Sequence, residues 1–449
     1  MTYDTWNSLP SMFFEIAEQG GTGDFMWKKV AGRYTPLSWR DAARQVREMA
    51  KGLEALGVQA GDRVVIAAEN RPEWVVADLA IMALGAISVP AYTTNTTSDY
   101  RHVLADCSAK GAVVSTQTLA ARLLPAASET TATEFIVSME ATASGVFDIA
   151  LYEWTAVMAM GAASEHDLEP GLQQLTRGDV ACLIYTSGTG GNPKGVMLSH
   201  GAILINCHSA CELLRLLGLG DEVFLSFLPL SHAYEHTAGL YFPISIKAQI
   251  YYAESIETLS ANLTEARPTI MVSVPRLYEV MHRRIVLGLK HQSMLKQSLF
   301  AKAVALGRKD YENRGSLGAL QSVLNRVLER LVRDKVRARF GGRLKAMISG
   351  GAPLNPEVGI FFTALGVRLL QGYGQTEAAP VISCNPPHKV KLHTVGPALE
   401  RVEVKIAQDG EILARGEMIM NGYWNDETST NAVLRDGWLH TGDIGHLDA

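Results

Sequence analysis

Apolar residues recur along the first part of the chain with two different periods. A helix is predicted between Ser38, an N-cap residue type, and Gly57, a residue type that commonly ends helices. Its apolar positions, three or four residues apart, are Ala42, Val46, Met49, Leu53 and Leu56. Short, mostly apolar runs follow at 64–68, 87–89, 112–114 and 180–184, with helical patterns between them. Strands without polar alternation, separated by helices, predict an α/β fold whose parallel sheet is covered on both faces.

The same alternation returns after residue 200. Apolar runs at 223–228, 250–252, 270–274 and 344–349, with helical patterns at 199–217 and 257–266, predict a second α/β sheet. The pattern changes from about Val395, where two short runs, 401–406 and 411–414, flank Asp409 and Gly410. An Asp-Gly pair between such runs is a strong hairpin signal, so this end of the chain is predicted to form a small antiparallel unit.

The loop after the run 180–184 has a composition suited to phosphate. Residues 185–195 read YTSGTGGNPKG, with four glycines, three hydroxyl side chains and one lysine. Such a loop can wrap backbone N–H groups and a cation around an anion. It is not a Walker A loop, because Lys194 lies between Pro193 and Gly195, and the third glycine of the dinucleotide pattern would fall on Pro193. Glycine content alone leaves a flexible surface loop as the alternative.

Four further segments place polar and small residues at loops that mostly follow predicted strands. They read FLPLSHAYEH (227–236), SGGAPL (349–354), QGYGQTE (371–377) and DGWLHTGDIG (436–445). Taken singly, each has a structural explanation: a loop histidine at His232, tight turns at the glycines, a helix cap at Thr376 and Glu377, and a turn aspartate at Asp443. The glycines would equally let a flat base or an acyl chain approach the backbone, and Glu377 is an oxygen ligand of the type that Mg²⁺ prefers.

In order and spacing the five segments resemble the signature motifs of the adenylate-forming superfamily, which contains acyl-CoA synthetases, luciferases and the adenylation domains of peptide synthetases. The family's phosphate loop usually has Thr where this chain has Gly190. Peptide-synthetase domains carry an aspartate for the substrate's amino group where this chain has 228–230, Leu-Pro-Leu, which favours an acid with no α-amine. The segment 272–279, VSVPRLYE, and the basic helices after it look most like long-chain fatty acyl-CoA synthetases.

The resemblance implies a fold and a domain organisation. Residues 1–449 would form one large N-terminal adenylating domain with two stacked, mostly parallel sheets flanked by helices and a small antiparallel β-barrel-like subdomain. The implied subdomains are 61–200 for the first sheet, 10–60 with 200–375 for the second, and 380–449 for the β unit. In the family a smaller domain follows, which supplies a catalytic lysine and much of the coenzyme A site. That domain is expected to be missing here, so the chain alone should bind ATP and acid but be nearly inactive.

The resemblance also assigns site residues. His232, Thr376 and Lys194 would be catalytic, and Glu377 and Thr186 would hold Mg²⁺. The acid would contact His232, Tyr234, His236, Val274 and Gly351, with His236 at the position of the family's gate to the acyl tunnel. ATP would be bound by Thr186, Ser187, Gly188, Thr189, Gly190, Gly191, Lys194, Gly350, Gly351, Ala352, Pro353, Gln371, Gly372, Tyr373, Gly374, Thr376 and Asp443. Among these, Tyr373 would stack on adenine and the Asp443 carboxylate would accept from the ribose hydroxyls.

The implied activity is ATP-dependent conversion of a fatty, long-chain acid to acyl-AMP and then to acyl-CoA, with coenzyme A as co-substrate. Two alternatives stay open. One is a fatty acyl-AMP ligase that delivers its product to a carrier protein. The other is a non-catalytic relic that binds nucleotide or an acyl group, which the glycine at Gly190 favours.

Charge and composition add a second hypothesis. The net charge is −5, but residues 276–340 hold 15 Lys/Arg and 5 Asp/Glu, a balance of +10, which leaves −15 for the remainder. This segment either rests on an anionic membrane or is a solvated face of core helices. The acidic remainder argues against nucleic acid as a partner. Five scattered cysteines and a first segment without signal-peptide features indicate a cytoplasmic protein, at most peripheral to a membrane. A homodimer stays open.

Overall fold

Two large sheets and one small sheet organise the chain in a computed structural model that describes residues 3–143, 147–186, 192–313 and 315–448. The strands are β1 (Asp24–Val30), β2 (Arg33–Ser38), β3 (Arg63–Ala67), β4 (Ile87–Ala91), β5 (Gly111–Val114), β6 (Phe135–Ser138), β7 (Ala150–Glu153), β8 (Val180–Thr186), β9 (Lys194–Ser199), β10 (Val223–Ser226), β11 (Gln249–Tyr252), β12 (Ile270–Ser273), β13 (Ala346–Ser349), β14 (Leu369–Gly374), β15 (Val381–Cys384), β16 (Glu403–Ile406), β17 (Glu411–Arg415), β18 (Leu434–Arg435) and β19 (Trp438–Ile444).

The helices lie mainly between these strands. They are α1 (Leu9–Gly20), α2 (Trp39–Ala55), α3 (Pro72–Ala83), α4 (Thr97–Asp106), α5 (Gln117–Ser128), α6 (Trp154–Ala163), α7 (Glu169–Gln174), α8 (His200–Leu214), α9 (Phe242–Ser245), α10 (Leu259–Ala266), α11 (Pro275–Lys290), α12 (Met294–Glu312), α13 (Ala319–Leu328), α14 (Asp334–Arg339), α15 (Pro356–Ala364) and α16 (Glu427–Val433). Short 3-10 turns are Tyr3–Thr5, Arg215–Leu217 and Thr376–Ala378, and π-helical turns are Glu235–Tyr241 and Glu329–Arg333.

The first sheet has the strand order β7-β6-β5-β3-β4-β8-β9. Its pairs are parallel except the last, because β8 turns back into β9 as an antiparallel hairpin. Strands β4, β5 and β6 are buried along their whole length. Burial on both faces explains why β4 and β5 read as short, mostly apolar runs in the sequence.

The second sheet has the order β15-β14-β13-β12-β10-β11-β1-β2. Its six inner strands are parallel, and an antiparallel strand closes it at each end. Helix α3 is buried at every residue except Glu73 and contacts β1 of this sheet as well as β3 and β4 of the first. The two sheets therefore enclose a shared apolar core, with α3 between them. This confirms the predicted fold of two mostly parallel sheets flanked by helices.

The third sheet is small and wholly antiparallel, with the order β16-β17-β19-β18. The hairpin predicted around Asp409 and Gly410 is confirmed, since β16 pairs with β17 and the backbone N–H of Glu411 donates to Asp409 Oδ1 at 3.1 Å. Within the described residues, no helix combines the length and the apolar character that crossing a bilayer requires.

Candidate active site

A cavity of about 670 Å³ opens where strands of both large sheets end. The carboxyl ends of β4, β8, β13 and β14 all reach its wall, which is the usual place for a ligand in an open parallel sheet. Its described lining residues are Tyr92, Asn95, Asp99, Val103, Tyr185, Thr186, Pro193, His232, Tyr234, Ile348, Gly350, Gly351, Gly372, Tyr373, Gly374, Gln375, Thr376, Glu377, Pro380, Val381 and Cys384.

Residues from four of the five motifs thus meet in one cavity. The predicted site residues on its wall are Thr186, His232, Tyr234, Gly350, Gly351, Gly372, Tyr373, Gly374, Thr376 and Glu377. The predicted residues off the wall are Lys194, His236, Val274, Ala352, Pro353, Gln371 and Asp443. The predicted loop residues Ser187, Gly188, Thr189, Gly190 and Gly191 lie outside the residues that the structure describes.

The two ends of the phosphate loop are held by the β8–β9 hairpin and by α4. Thr186 pairs with Lys194 across the hairpin. On one side the Tyr185 hydroxyl donates to Asp106 Oδ2 at 2.6 Å, and on the other His102 Nε2 lies 2.8 Å from the carbonyl oxygen of Pro193. The loop therefore connects two antiparallel strands, and its described ends are fixed to one helix.

Lys194 is bound to the turn that leads into α16. Its Nζ lies 3.2 Å from Asp426 Oδ2, donates to Ser429 Oγ, and sits 5.2 Å from the centre of the Tyr423 ring. Asp426 also accepts from the backbone N–H of Ser429. Hydrogen bonding from the Ser429 side chain and from this N–H, together with Lys194, lowers the pKa of Asp426 to about 2. The lysine is thus half-exposed and paired with a carboxylate in this structure.

Two predicted nucleotide residues contact each other across a sheet boundary. The hydroxyl of Tyr373, at the end of β14, donates to Asp443 Oδ2 on β19 at 2.7 Å. Burial raises the pKa of Tyr373, so its hydroxyl remains a donor. Asp443 lies just behind the cavity wall and is joined to it by this bond. Its Oδ1 has no hydrogen-bond partner among the described residues and can accept from a ribose hydroxyl.

At one part of the cavity wall a glycine lets an aromatic ring approach the backbone closely. A Cβ added at Gly350 would lie 2.9 Å from the Tyr234 ring, which a real side chain would not tolerate. Tyr234 is fixed there because its hydroxyl donates to the carbonyl oxygen of Ile348 at 3.0 Å. Gly350 therefore allows the Tyr234 ring to line the cavity beside β13.

His232 presents its ring to the solvent of the cavity. The backbone N–H of Tyr234 donates to Nδ1 at 3.1 Å, so in the neutral ring the proton is on Nε2. The surrounding walls displace much of the bulk water although the ring is exposed, and this desolvation lowers the pKa of His232. At neutral pH the ring is a neutral donor at Nε2.

The loop that carries His232 is tied to the first sheet by Asn70. Its Nδ2 donates to Ser226 Oγ at 3.0 Å and to the carbonyl oxygen of Leu228 at 2.6 Å, and its Oδ1 accepts from the backbone N–H of Leu230 at 3.0 Å. Asn70 follows β3, whereas Ser226 ends β10. One amide thus connects the edges of both large sheets next to the candidate site.

His236 lies in the core and not on the wall. It is fully buried, with Nε2 3.1 Å from Asp78 Oδ2, and Asp78 also accepts from Tyr241 and from Ser88, each at 2.5 Å. Trp74 packs edge-on against the imidazole. The predicted gating role stays a prediction, but the side chain belongs to a buried polar cluster rather than to the described lining.

Glu377 has one carboxylate oxygen engaged and one free. Its Oε1 accepts from the Tyr423 hydroxyl at 2.8 Å, and Oε2 has no partner among the described residues. No group of three His, Cys, Asp or Glu side chains that could hold a metal occurs within the described part of the chain. Mg²⁺ is commonly held by one or two carboxylates together with substrate phosphates, so Glu377, near Thr186 on the same wall, fits that mode of binding.

Sequence reasoning missed two parts of the site. One is the β4–α4 wall, made of Tyr92, Asn95, Asp99 and Val103, where the sequence analysis identified no motif. The other is the pairing of Tyr423 with Glu377. Nothing in the sequence around Tyr423 indicated which carboxylate its hydroxyl would meet.

A second, larger cleft of about 970 Å³ lies between α1, α2, α6 and α7. Its charged residues are of both signs, among them Arg40, Arg47 and Lys51 opposite Glu15 and Glu18. None of the motif residues lines it. The chemistry described above therefore belongs to the smaller cavity.

Known proteins resemble the chain over nearly its whole length. A sequence profile described as AMP-binding enzyme matches residues 17–424. A long-chain-fatty-acid–CoA ligase, FadD15 of Mycobacterium bovis, is 31% identical over 98% of this chain and 72% of that protein. Long chain acyl-CoA synthetase 7 of Arabidopsis thaliana is 31% identical over 92% of this chain and 60% of that protein.

A solved structure supports the fold independently. The crystal structure of a long-chain-fatty-acid–CoA ligase, FadD1 of Archaeoglobus fulgidus, superposes with a TM-score of 0.75 at 20% identity, covering 98% of this chain and 82% of that one. At this level of sequence identity the match shows a shared fold alone.

Proposed function

Because this chain belongs to the AMP-binding enzyme family, we propose that it activates a long-chain fatty acid with ATP. The carboxylate oxygen of the acid bonds to the α-phosphorus while the bond to pyrophosphate breaks, which gives acyl-AMP and pyrophosphate. The sulfur of coenzyme A then attacks the acyl carbonyl and AMP leaves, which gives an acyl-CoA thioester. A free carboxylate is a poor acyl donor because it would have to expel an oxide, and AMP is a far better leaving group.

The observation that supports this proposal most is the set of groups on one cavity wall. They are a neutral histidine, a carboxylate with one oxygen engaged in a hydrogen bond, and a tyrosine whose hydroxyl donates to an aspartate. His232 faces the cavity with a proton on Nε2, where it can donate to the acid's carboxylate. Tyr373 and Asp443 offer a ring and an acceptor for adenine and ribose. Thr376 and the backbone of Gly350 and Gly351 complete the wall.

The work of such a site is placement and charge balance. The protein must hold the carboxylate in line with the α-phosphate and offset the charge that develops on the leaving pyrophosphate. Lys194 and the loop amides would offset that charge, after the lysine exchanges Asp426 for phosphate. Glu377 and Thr186 would hold Mg²⁺, which when bound neutralises part of the phosphate charge.

Slow turnover by residues 1–449 alone is part of the proposal. None of the described residues lining the cavity is a lysine, and Lys194 is paired with Asp426 behind it. The resemblance assigns the lysine of the adenylation step, and much of the coenzyme A site, to a smaller domain. We therefore expect the 449 residues to bind ATP and acid with little turnover.

The decisive experiment is pyrophosphate release by the full-length protein over a series of carboxylic acids. Pyrophosphate release that rises with acyl length, together with a thioester that forms only when coenzyme A is added, supports the proposal. Transfer to a carrier protein but not to coenzyme A would identify an acyl-AMP ligase instead. ATP binding without pyrophosphate release for any acid would identify a non-catalytic binding protein.

Lys194→Ala tests the phosphate loop. The variant should bind MgATP more weakly by calorimetry, because a charge-assisted contact with phosphate is lost. Lys335→Ala, which removes an exposed lysine from α14, is the matched control. Equal affinities for the two variants would count against the role of Lys194.

We also propose that α13 and the helices beside it contact an anionic membrane that holds the fatty acid. Eight of the fourteen exposed large apolar side chains of the described residues lie between 287 and 331. Five of them form a stripe at helical spacing from α13 into the following turn: Leu320, Val323, Leu324, Val327 and Leu331.

Arg326 and Arg330 are exposed on these same turns, with no carboxylate partner among the described residues. Exposed apolar residues beside unpaired cations suit an anionic lipid surface. The five cysteines are unpaired, which fits a cytoplasmic location for such contact.

Flotation with phosphatidylglycerol-containing and pure phosphatidylcholine vesicles tests this surface. The protein should float with anionic vesicles only, and Val323→Gln with Val327→Gln should abolish flotation. Leu216→Gln, which removes an apolar residue exposed elsewhere, should have no effect. Equal flotation with both lipids, or a dimer that covers the stripe and does not float, would contradict the membrane role.

A further inference from the structure

A single turn between β17 and β18 contacts one residue that the motifs assign to Mg²⁺ and one that they assign to ATP. Its Tyr423 hydroxyl donates to Glu377 Oε1 at 2.8 Å, and its Asp426 carboxylate lies 3.2 Å from Lys194 Nζ. The turn has no assigned role of its own in the function proposed above. Its contacts join the candidate magnesium ligand and the candidate phosphate lysine to the same few residues.

We propose that Tyr423 is a positioning residue that orients Glu377 for Mg²⁺. The inference rests on the proposed function, since it takes Glu377 as the magnesium ligand. Tyr423 itself is not among the described residues that line the cavity. It occupies one carboxylate oxygen and so leaves the other for the ion.

Tyr423 is rigidly held from both sides, as this role requires. Its backbone N–H donates to Thr430 Oγ1 at 2.9 Å, and an isolated bridge pairs it with Val196 on β9. Glu377 is also held by its backbone, because its carbonyl oxygen accepts from the backbone N–H of Met420 at 2.9 Å. The side-chain bond between Tyr423 and Glu377 therefore joins two fixed backbones.

The geometry of the pair assigns one carboxylate oxygen to the phenol. Glu377 Oε1 accepts the hydrogen bond from the Tyr423 hydroxyl, and Oε2 is without a partner among the described residues. A carboxylate held through one oxygen has a fixed orientation for the other, which is how outer partners tune a metal ligand.

Tyr423→Phe removes only the hydroxyl and keeps the ring that lies near Lys194. We expect the Mg²⁺ concentration that gives half-maximal enhancement of ATP binding to rise about tenfold to a hundredfold, the range for loss of an outer partner of a metal ligand. ATP affinity measured in EDTA should stay the same. The measurement is calorimetric ATP titration across a Mg²⁺ series, with Mn²⁺ binding by electron paramagnetic resonance as a second readout.

Two further variants separate the possible outcomes. Tyr34→Phe is the matched control, because the Tyr34 hydroxyl also donates to an oxygen, that of the Tyr252 carbonyl, far from the cavity. Glu377→Gln tests the proposed function itself. Suppose that Glu377→Gln strongly changes the Mg²⁺ dependence of ATP binding, but that the half-maximal Mg²⁺ concentration of Tyr423→Phe lies within twofold of that of Tyr34→Phe. This result overturns the positioning role alone. If Glu377→Gln leaves the metal dependence unchanged, the proposed function and the inference both fall.

Discussion

At the scale of single residues, burial decides which groups carry charge near the site. Glu235 lies three residues after His232, is fully buried, and has no hydrogen-bond partner at either oxygen among the described residues. Burial raises its pKa to about 8, and the nearby Ser226 hydroxyl offsets this slightly without reaching hydrogen-bond geometry. The side chain is therefore a neutral acid at pH 7, packed against Gly239 in a π-helical turn.

This raised pKa predicts a pH-dependent stability. Between pH 4.5 and 8 the unfolded chain releases the Glu235 proton while the folded chain keeps it, so stability falls as pH rises, by at most about 1.4 kcal/mol per pH unit. Glu235→Gln should remove this slope. Its melting temperature should match that of the wild type near pH 5 and exceed it at pH 8.

The control is Glu357→Gln, which alters an exposed carboxylate whose pKa is lowered by Arg308. A lowered pKa gives stability that is present above the unfolded pKa, so this variant should not gain over the wild type at pH 8. A Glu235→Gln variant that shows the same difference from the wild type at both pH values would contradict the neutral-acid assignment.

At the scale of elements, close backbone contacts fix how helices pack. Gly52 on α2 and Gly161 on α6 face each other's helix, and an added Cβ would lie 2.2 Å from the carbonyl oxygen of Val157 and 1.7 Å from that of Glu48, respectively. Backbone cannot retreat from such a contact as a flexible side chain can. Helices α2 and α6 therefore pack at a distance that only glycine permits.

Gly161→Ala should destabilise the fold because α6 would have to move away from α2. The expected loss is about 1–3 kcal/mol or more, the range for overpacking a close contact, measured as a drop in melting temperature. Gly171→Ala, on α7 with open space at the Cβ position, is the matched control and should be near neutral. Equal melting temperatures for the two variants would show that α2 and α6 are not in this contact.

Whether a strand or helix could be predicted from the sequence depended on how that element is buried in the fold. Strands β4, β5 and β6 are buried throughout, so the first two gave clear apolar runs. Strands β1 and β2 went unrecognised because much of their surface is exposed at the end of the second sheet. Strand β9 was missed because it begins at the loop residue Lys194. The basic segment was expected to be helical, but sequence alone did not decide whether its apolar residues faced the core or solvent.

At the scale of the whole molecule, the candidate site draws on three sheets at once. Thr186 of the first sheet and Tyr373 of the second line the cavity, and Asp443 of the third accepts a hydrogen bond from Tyr373. A nucleotide that contacts all three would tie them together. Binding to the folded state alone stabilises it by about 2.7 kcal/mol at a ligand concentration 100 times Kd.

Hydrogen exchange should report this linkage. With saturating MgATP, amides at 192–195, 371–377 and 441–443 should exchange more slowly together, by up to about a hundredfold at that concentration. Residues 319–331 on and after α13 serve as an internal control and should not change. Protection confined to one of the three segments would mean that the ligand does not bridge the sheets.

The candidate site was predictable where it consists of neighbours in sequence. Motif order placed Gly372, Tyr373, Thr376 and Glu377 in one loop, and that loop does line the cavity. Pairings across long separations were not predictable. Lys194 meets Asp426 and Glu377 meets Tyr423 only because the third sheet docks beside β9, and no local pattern encodes that docking.

The amide of Asn70 has a consequence for protein engineering. It contacts the segment 226–230 at the Ser226 hydroxyl and at two backbone groups, so that segment is matched to a residue from the other sheet. A chimera that takes β3 from one relative and β10 from another would inherit the two halves of this connection from different parents. Recombination points should therefore keep Asn70 and residues 226–232 in the same parental segment. The loop that carries His232 then retains the asparagine that holds it in place.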